Sequence, residues 1–457
     1  MKFRAALAPI LVAAVVTSLA AAAASCNGSS GDDGLGTAVE AGIDASTIDS
    51  ALLVEAGATR PFRLASGGVQ LLVTGPSLGF QITPADLAAD VDVLEVHQEY
   101  YGTPWDAFAA SAAPPAEWTA KMQAIADAAH ATKKPIFLSI TMLNGERDSL
   151  APQTKIQNGV VQSTDHWAAR CYDFSTATDA ATMKAAYLAY VDAMMDIFQP
   201  AYLNMAVEVN LFFENCPTAA AGVVDVANAA YDEAKKKKGD VIAFPSIQID
   251  HLYGLSDACA GGVGDAGVAD ACFAVNYAQI EPLKRDRFAM SSYPPLGSFK
   301  KASDIPADWF SRAASKKSEV ELIAETGWSS TGLVAELKNA TCLTVFTNTE
   351  SDEEAYLDFV LQSAESQKID VVNWWSDRDL VVSSYMTDCP CTFDTTWCAV
   401  LDQFRGPPSA VDAGDPQFLG EVLSKAFGTM GLRAYDGTEK PTVYARWQAA
   451  LGRPIAP

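Results

Sequence analysis

Eight short apolar runs rich in branched side chains recur along this chain with amphipathic helical stretches between them, and that rhythm limits the fold more than any other feature. The runs fall at 69–74, 91–97, 135–140, 202–207, 241–247, 288–292, 319–324 and 370–374. The intervening stretches carry helix signals. Thr83-Pro84-Ala85-Asp86 reads as an N-cap, a proline at the first helical position and an early acid. Segments 116–132 and 179–198 have apolar residues at helical spacing, and Lys235 to Lys238 before Gly239 reads as a solvated helix end with a glycine cap. Eight parallel-type strands alternating with helices over about 380 residues predict an α/β fold, a (β/α)8 barrel. Long βα-loop insertions are expected at 141–180 and 376–410, together with disulfides. A doubly wound open sheet is the alternative; the count of eight and the lack of a glycine-rich turn after 69–74 weigh against it.

The N-terminus sets the compartment. Lys2 and Arg4 precede an apolar run from Ala5 to Ala24, which closes on Ala23-Ala24-Ser25-Cys26. Residues 1–25 are read as a signal peptide. The Ala-Ala-Ser-Cys sequence resembles a bacterial lipobox, which implies that Cys26 is the lipidation site, with Ala23 where leucine is usual. Residues 26–60, rich in Gly, Ser, Ala and Asp, are read as a lipid-anchored tether, with a short helix at 45–58, and 61–457 as the barrel domain. Of nine cysteines, lipidation of Cys26 leaves eight, an even number that an oxidising compartment can pair. Cys259 and Cys272 bracket a Gly/Ala/Asp loop and form the expected local pair. Cys389-Pro390-Cys391 lacks the spacer of a zinc knuckle, and no metal or other cofactor is expected. A formal charge of −24 disfavours nucleic acid and anionic lipid as partners. An uncharged ligand is expected, with membrane contact only through the anchor, and a monomeric chain in the cell envelope or secreted.

In a barrel the loops after the strands form the active face. Glu208 follows the fourth run and Glu325 the seventh. Charge beside a buried strand is costly, so two such carboxylates on one face suggest paired work, one as proton donor and one as nucleophile. Gly75-Pro76-Ser77-Leu78-Gly79 fits a nucleophile elbow, but it sits in the first loop with a proline inside and is set aside.

Glu325-Thr326-Gly327-Trp328-Ser329-Ser330 resembles the nucleophile motif of the (β/α)8 superfamily of retaining glycoside hydrolases, nearest its endo-β-1,4-galactanase and β-1,3-glucanase families. The resemblance spans roughly 67–450 and implies Glu325 as nucleophile and Glu208 as acid/base, acting on a neutral oligo- or polysaccharide. Ser291-Ser292-Tyr293-Pro294 is similar to the galactanases' Ser-Tyr-Tyr-Pro region, implying that Tyr293 bonds the nucleophile. Asn373-Trp374-Trp375 resembles the eighth-strand region, implying Trp374 as floor of the sugar subsite. The stretch at 431–441 resembles the one before the last barrel helix. Trp328, Tyr101 and His97 are further candidates for substrate contact, as are Tyr100, Trp105, Trp375 and His251. In these families asparagine precedes the acid/base; here that position is Val207, with Asn210 two residues after Glu208 and Glu214 the nearest substitute acid. His97 and Glu99 stand where the families often carry an arginine. Val207 motivates the second reading, a catalytically impaired glycan-binding surface lipoprotein on a barrel scaffold. A third is a structural envelope protein whose barrel mouth is plugged by the insertions.

Overall fold

The computed structural model describes residues 59–67, 83–98, 101–164, 168–254, 270–296, 299–337, 341–380, 383–389, 422 and 425–456. The readings of the signal peptide, Cys26, the tether to residue 58, the 69–74 strand, Gly75 to Gly79, Glu99, Tyr100 and Cys259 lie outside those residues.

Eight parallel strands close into a barrel. They are β1 (Arg63–Ser66), β2 (Val93–His97), β3 (Ile136–Ser139), β4 (Tyr202–Ala206), β5 (Ile242–Gln248), β6 (Phe288–Ser292), β7 (Glu321–Thr326) and β8 (Val371–Trp374). Each pairs with the next, and β1 pairs with β8 through Arg63–Val371 and Ala65–Asn373 to complete the ring. The (β/α)8 expectation holds, with one correction. The first strand is at Arg63–Ser66, upstream of the expected 69–74. Its sequence is a weak strand signal, with Arg63 and Ser66 at the ends. Tertiary contacts override that: Arg63 bonds Asp370 at 2.8 Å, and Leu64 and Ala65 are fully buried. Arg60, assigned to the tether's end, is itself buried in the lower face, donating to Phe62 O and Asp92.

Alternation along the strands divides the apolar residues between two cores. Ala65, Val93, Phe137, Phe244, Leu322 and Val371 fill the barrel at its N-terminal end. Leu64, Leu94, Leu138, Leu203, Ile323 and Val372 point outward into the layer under the helices. The principal helices are Ala116–Ala131, Ala180–Phe198, Ala220–Lys237, Glu350–Gln367 and Val443–Leu451, close to the predicted spans where these were made. Helix Ala180–Phe198 shows how they dock. Met183, Tyr187, Tyr190, Met194 and Phe198 bury one face, each contributing about 1.5–3 kcal/mol. Thr83 caps Pro84–Leu87 in a capping box with Asp86. Among the described residues no helix is long and apolar enough to cross a membrane.

The insertion after β3 folds into a hairpin (Thr154–Gln157 with Val160–Ser163), and a second hairpin follows β7 (Leu333–Leu337 with Thr341–Phe346). Two disulfides staple these loops. Cys171–Cys216 ties the β3 insertion to the segment after β4, and Cys342–Cys389 ties the second hairpin to the loop after β8. A closed loop of 45 residues corresponds to about 4 kcal/mol in the chain-entropy account. Cys272 is disulfide-bonded as well.

Candidate active site

Glu325 owes its orientation to an irregularity in β7. Leu322 and Ala324 face the barrel interior, so strict alternation would send Glu325 outward. Met290 of β6 pairs with Ile323, yet Ser291 pairs with Glu325. On the other side, Val372 of β8 pairs with Ile323 and Trp374 with Thr326. β7 therefore carries one extra residue relative to both neighbours, a bulge of the kind that re-aims a side chain. Glu325 turns inward. Thr326 turns outward, where its hydroxyl lies 2.6 Å from Tyr356 on helix Glu350–Gln367.

Glu325 is 4 % exposed. Tyr293, just past β6, donates its hydroxyl to Oε2 at 3.2 Å, and His97 at the end of β2 places Nδ1 3.9 Å from Oε1. His97 is held in turn by Glu95, whose Oε1 is 3.4 Å from Nδ1 and accepts the Ser139 hydroxyl at 3.0 Å. Burial pushes the Glu325 carboxyl up, and the charges of Glu208 and Glu95 push it further; His97 and Arg147 pull the other way, leaving it at about 8. Tyr293 is raised well above the ordinary phenol range by burial and by Glu325, Glu208 and Glu95, so it stays a proton donor.

Glu208 follows β4 and begins helix Val209–Asn215 in a left-handed conformation, φ 49° and ψ 43°. For a residue with a Cβ this costs about 1–3 kcal/mol and persists only where surroundings enforce it. The enforcement is visible: the Ser246 hydroxyl on β5 accepts the Glu208 N–H at 2.9 Å and the Asn204 side-chain amide at 3.1 Å. The Glu208 carboxylate lies 3.7 Å from Arg147 Nη2. Beyond the helix start, Glu214 bonds His251 Nδ1 at 2.7 Å. Burial alone would lower His251, but Glu214, Asp250 and Glu208 outweigh it and raise the imidazole. A cavity of about 220 Å³ opens here, lined by Asn210, Phe213, Glu214, His251, Asn276 and Gln279 among others.

The remaining sequence candidates divide sharply. Trp374, implied as the sugar platform, points out of the barrel; it is fully buried against Tyr356 and donates its indole N–H to Met430 O. Its neighbour Trp375 takes the inward place by alternation, edge-on to both His97 and Tyr293 at ring separations of 6.1 and 6.3 Å. Trp328 is fully buried beside Tyr356, in the layer under the helices. Trp105 is likewise buried, its indole N–H on Ala151 O. Tyr101 lies under the Lys121 ammonium of an outer helix. Asn210 spends both ends of its amide on the backbone of Gln248, at 2.9 and 2.8 Å. The residues that sequence reasoning missed are Arg147, Glu95 and Ser246. Arg147 sits in the β3 insertion, and its sequence neighbourhood, Asn144-Gly145-Glu146-Arg147-Asp148, offers only a charge cluster after a strand as signal.

No protein-family model and no curated protein sequence matches the chain. Solved structures do. An exo-β-1,4-mannosidase from Opitutaceae bacterium strain TAV5 superimposes with a TM-score of 0.50 at 12 % identity, covering 86 % of this chain; this chain spans 60 % of that one. A GH5_18 protein from Streptomyces cattleya, solved with GlcNAc, gives a TM-score of 0.51 at 12 % identity over 88 % of this chain and 82 % of the other. These likenesses show a shared barrel fold.

Proposed function

We propose that the chain is a retaining glycoside hydrolase acting on a neutral β-linked glycan, with Glu325 as nucleophile and Glu208 as acid/base. One observation carries the reading. A bulge in β7 and an enforced left-handed residue after β4 bring two carboxylates into electrostatic contact at the C-terminal mouth of a closed barrel. Backbone strain of this kind gathers at functional sites.

In the first step Glu325 attacks the anomeric carbon, the bond to the leaving oxygen breaks, and the Glu208 proton passes to that oxygen. In the second, Glu208 takes a proton from water, the water oxygen bonds the anomeric carbon, and Glu325 leaves. The raised Glu325 value fits a pair of like charges holding one proton between them. Catalysis requires that proton on Glu208. Tyr293 O–H and His97, both directed at Glu325, favour its ionised form. The retaining geometry calls for carboxyl groups about 5–5.5 Å apart. Trp375, edge-on to His97 and Tyr293, is the aromatic placed to meet a sugar ring. The names of the similar barrels, an exo-β-1,4-mannosidase and a GH5_18 protein solved with GlcNAc, put β-mannosides beside β-galactans, β-glucans and xylans on the substrate panel.

The test is reducing-end release by residues 59–457 across that panel, with Glu325→Gln alongside. Release by the wild type that disappears in the variant supports the assignment. Silence across the panel with measurable glycan binding favours the impaired binding protein, for which Val207, fully buried beside Glu208, is the observation.

A further inference from the structure

The geometry points to Arg147 as a positioning residue for Glu208, delivered from the β3 insertion by a clamp that the helix after Glu208 itself provides. This rests on the assignment of Glu208 as acid/base and extends it to a residue that touches that acid.

Arg147 is 4 % exposed, in a left-handed conformation (φ 53°), and donates from Nη1 to Asn144 O at 2.6 Å. Nη2 lies 3.7 Å from Glu208 Oε2, an ion-pair distance that hydrogen bonding in a substrate complex can shorten. A buried guanidinium is costly unless its surroundings fix it, and the loop is fixed at several points. The Asn144 side-chain carbonyl accepts the N–H groups of Asp148 and Ser149, and its amide donates to Asp148 and Glu146. Asn215, last residue of helix Val209–Asn215, donates to Glu146 O and Arg147 O at 3.1 and 3.2 Å. The next residue, Cys216, is disulfide-bonded to Cys171, whose N–H meets Asp148 O at 2.6 Å. The helix that begins at the acid/base thus ends by gripping the loop that carries its counter-ion. Glu208 and Arg147 are thereby tied together through hydrogen bonds and one disulfide.

The chemical use follows from what else faces Glu208. His251 approaches from the segment after β5, Tyr293 from after β6 and Glu325 from β7, while Glu214 on its own helix is engaged by His251. Against the Glu325 carboxylate, Arg147 is the permanent positive charge in contact with Glu208 among the described ion pairs. It fixes the carboxylate's direction and supports its anionic form, which the second step needs when Glu208 takes a proton from water.

The test is a carboxyl-carbon NMR titration of protein labelled at glutamate Cδ, with the Glu208 signal assigned by its loss in Glu208→Gln. In Arg147→Met the Glu208 midpoint should rise by about one pH unit or more, and Arg147→Lys should restore part of the shift. Asn215→Ala, which loosens the clamp and leaves the charge, should move it in the same direction by less. A Glu208 midpoint unchanged in Arg147→Met, with near-ultraviolet circular dichroism like the wild type, overturns the proposal. If Arg147→Met fails to fold, an unchanged midpoint in Asn215→Ala does the same. On a glycan that the wild type cleaves, both limbs of the kcat/KM pH profile should move to higher pH in Arg147→Met; a purely structural role would lower the rate with the limbs in place. A wild type silent on every glycan defeats the hydrolase reading, while the titration still decides the role of Arg147.

Discussion

Glu325 should make the folded protein less stable as pH rises, and replacing it with glutamine should remove that penalty. The unperturbed carboxyl titrates at 4.5, whereas burial and the Glu208 charge put the folded group at about 8. Between those values the native Glu325–Glu208 pair holds a proton that the unfolded chain has released. Stability therefore falls with increasing pH across the window, is undiminished below 4.5, and levels off above 8. At pH 7 the separation from 4.5 is about 2.5 units, and at 1.36 kcal/mol per unit the penalty is about 3 kcal/mol. Glutamine keeps the volume and an oxygen for the Tyr293 hydroxyl, and it cannot ionise. With an unfolding entropy of about 2.1 cal/mol/K per residue, a barrel of roughly 400 residues converts 3 kcal/mol into about 4 °C. Differential scanning calorimetry of wild type and Glu325→Gln at pH 4.5, 6 and 7 measures this. The two Tm values should nearly coincide at pH 4.5 and separate progressively, with the variant higher. A variant no more stable at pH 7, or a gap that does not widen with pH, would refute the argument that Glu325 is a buried carboxyl in repulsive contact with a second one.

Tyr293→Phe removes the hydroxyl that donates to Glu325; loss of a hydrogen bond to a charged group, about 1.5–3 kcal/mol, should lower kcat/KM roughly 10- to 100-fold and move its acid limb to higher pH. Ser246→Ala strips the acceptor from both the Glu208 N–H and the Asn204 amide; chemical denaturation should show a loss of about 1–3 kcal/mol or more, with activity falling further as Glu208 relaxes from its left-handed conformation. Trp374→Ala and Trp375→Ala should differ in function: the first, fully buried between barrel and helices, costs about 3–5 kcal/mol of stability and leaves glycan affinity in place, while the second, on the barrel-interior face, lowers oligosaccharide affinity at least about tenfold by calorimetry on Glu325→Gln. Cys26→Ser should abolish palmitate labelling and release the protein from the membrane fraction of a bacterial host; labelling that persists excludes Cys26 as the anchor.

Seven of the eight strands were legible within about two residues, because a buried parallel strand is a short apolar run and little else resembles one between amphipathic helices. The exception is Arg63–Ser66: a four-residue strand held by its partners needs no apolar run of its own. Trp375 was legible in principle. With Val371 filling the barrel interior, alternation puts Asn373 and Trp375 on that face and Trp374 on the other, and this physical pattern outranks the resemblance that favoured Trp374. Arg147 was not legible. Its place depends on an asparagine-centred loop and on a disulfide whose cysteines are 45 residues apart, neither of which leaves a local pattern. Glu325 is the instructive case. Periodicity along β7 predicts an outward side chain, and only the bulge reverses it. The motif singles out this residue as a candidate, and the period alone would have discarded it. Regular backbone geometry is broken at Glu325, by the β7 bulge, and at Glu208, by its left-handed conformation. Natural sequences are consistent across levels except where function requires otherwise. The two departures therefore argue for the carboxylate pair independently of any resemblance.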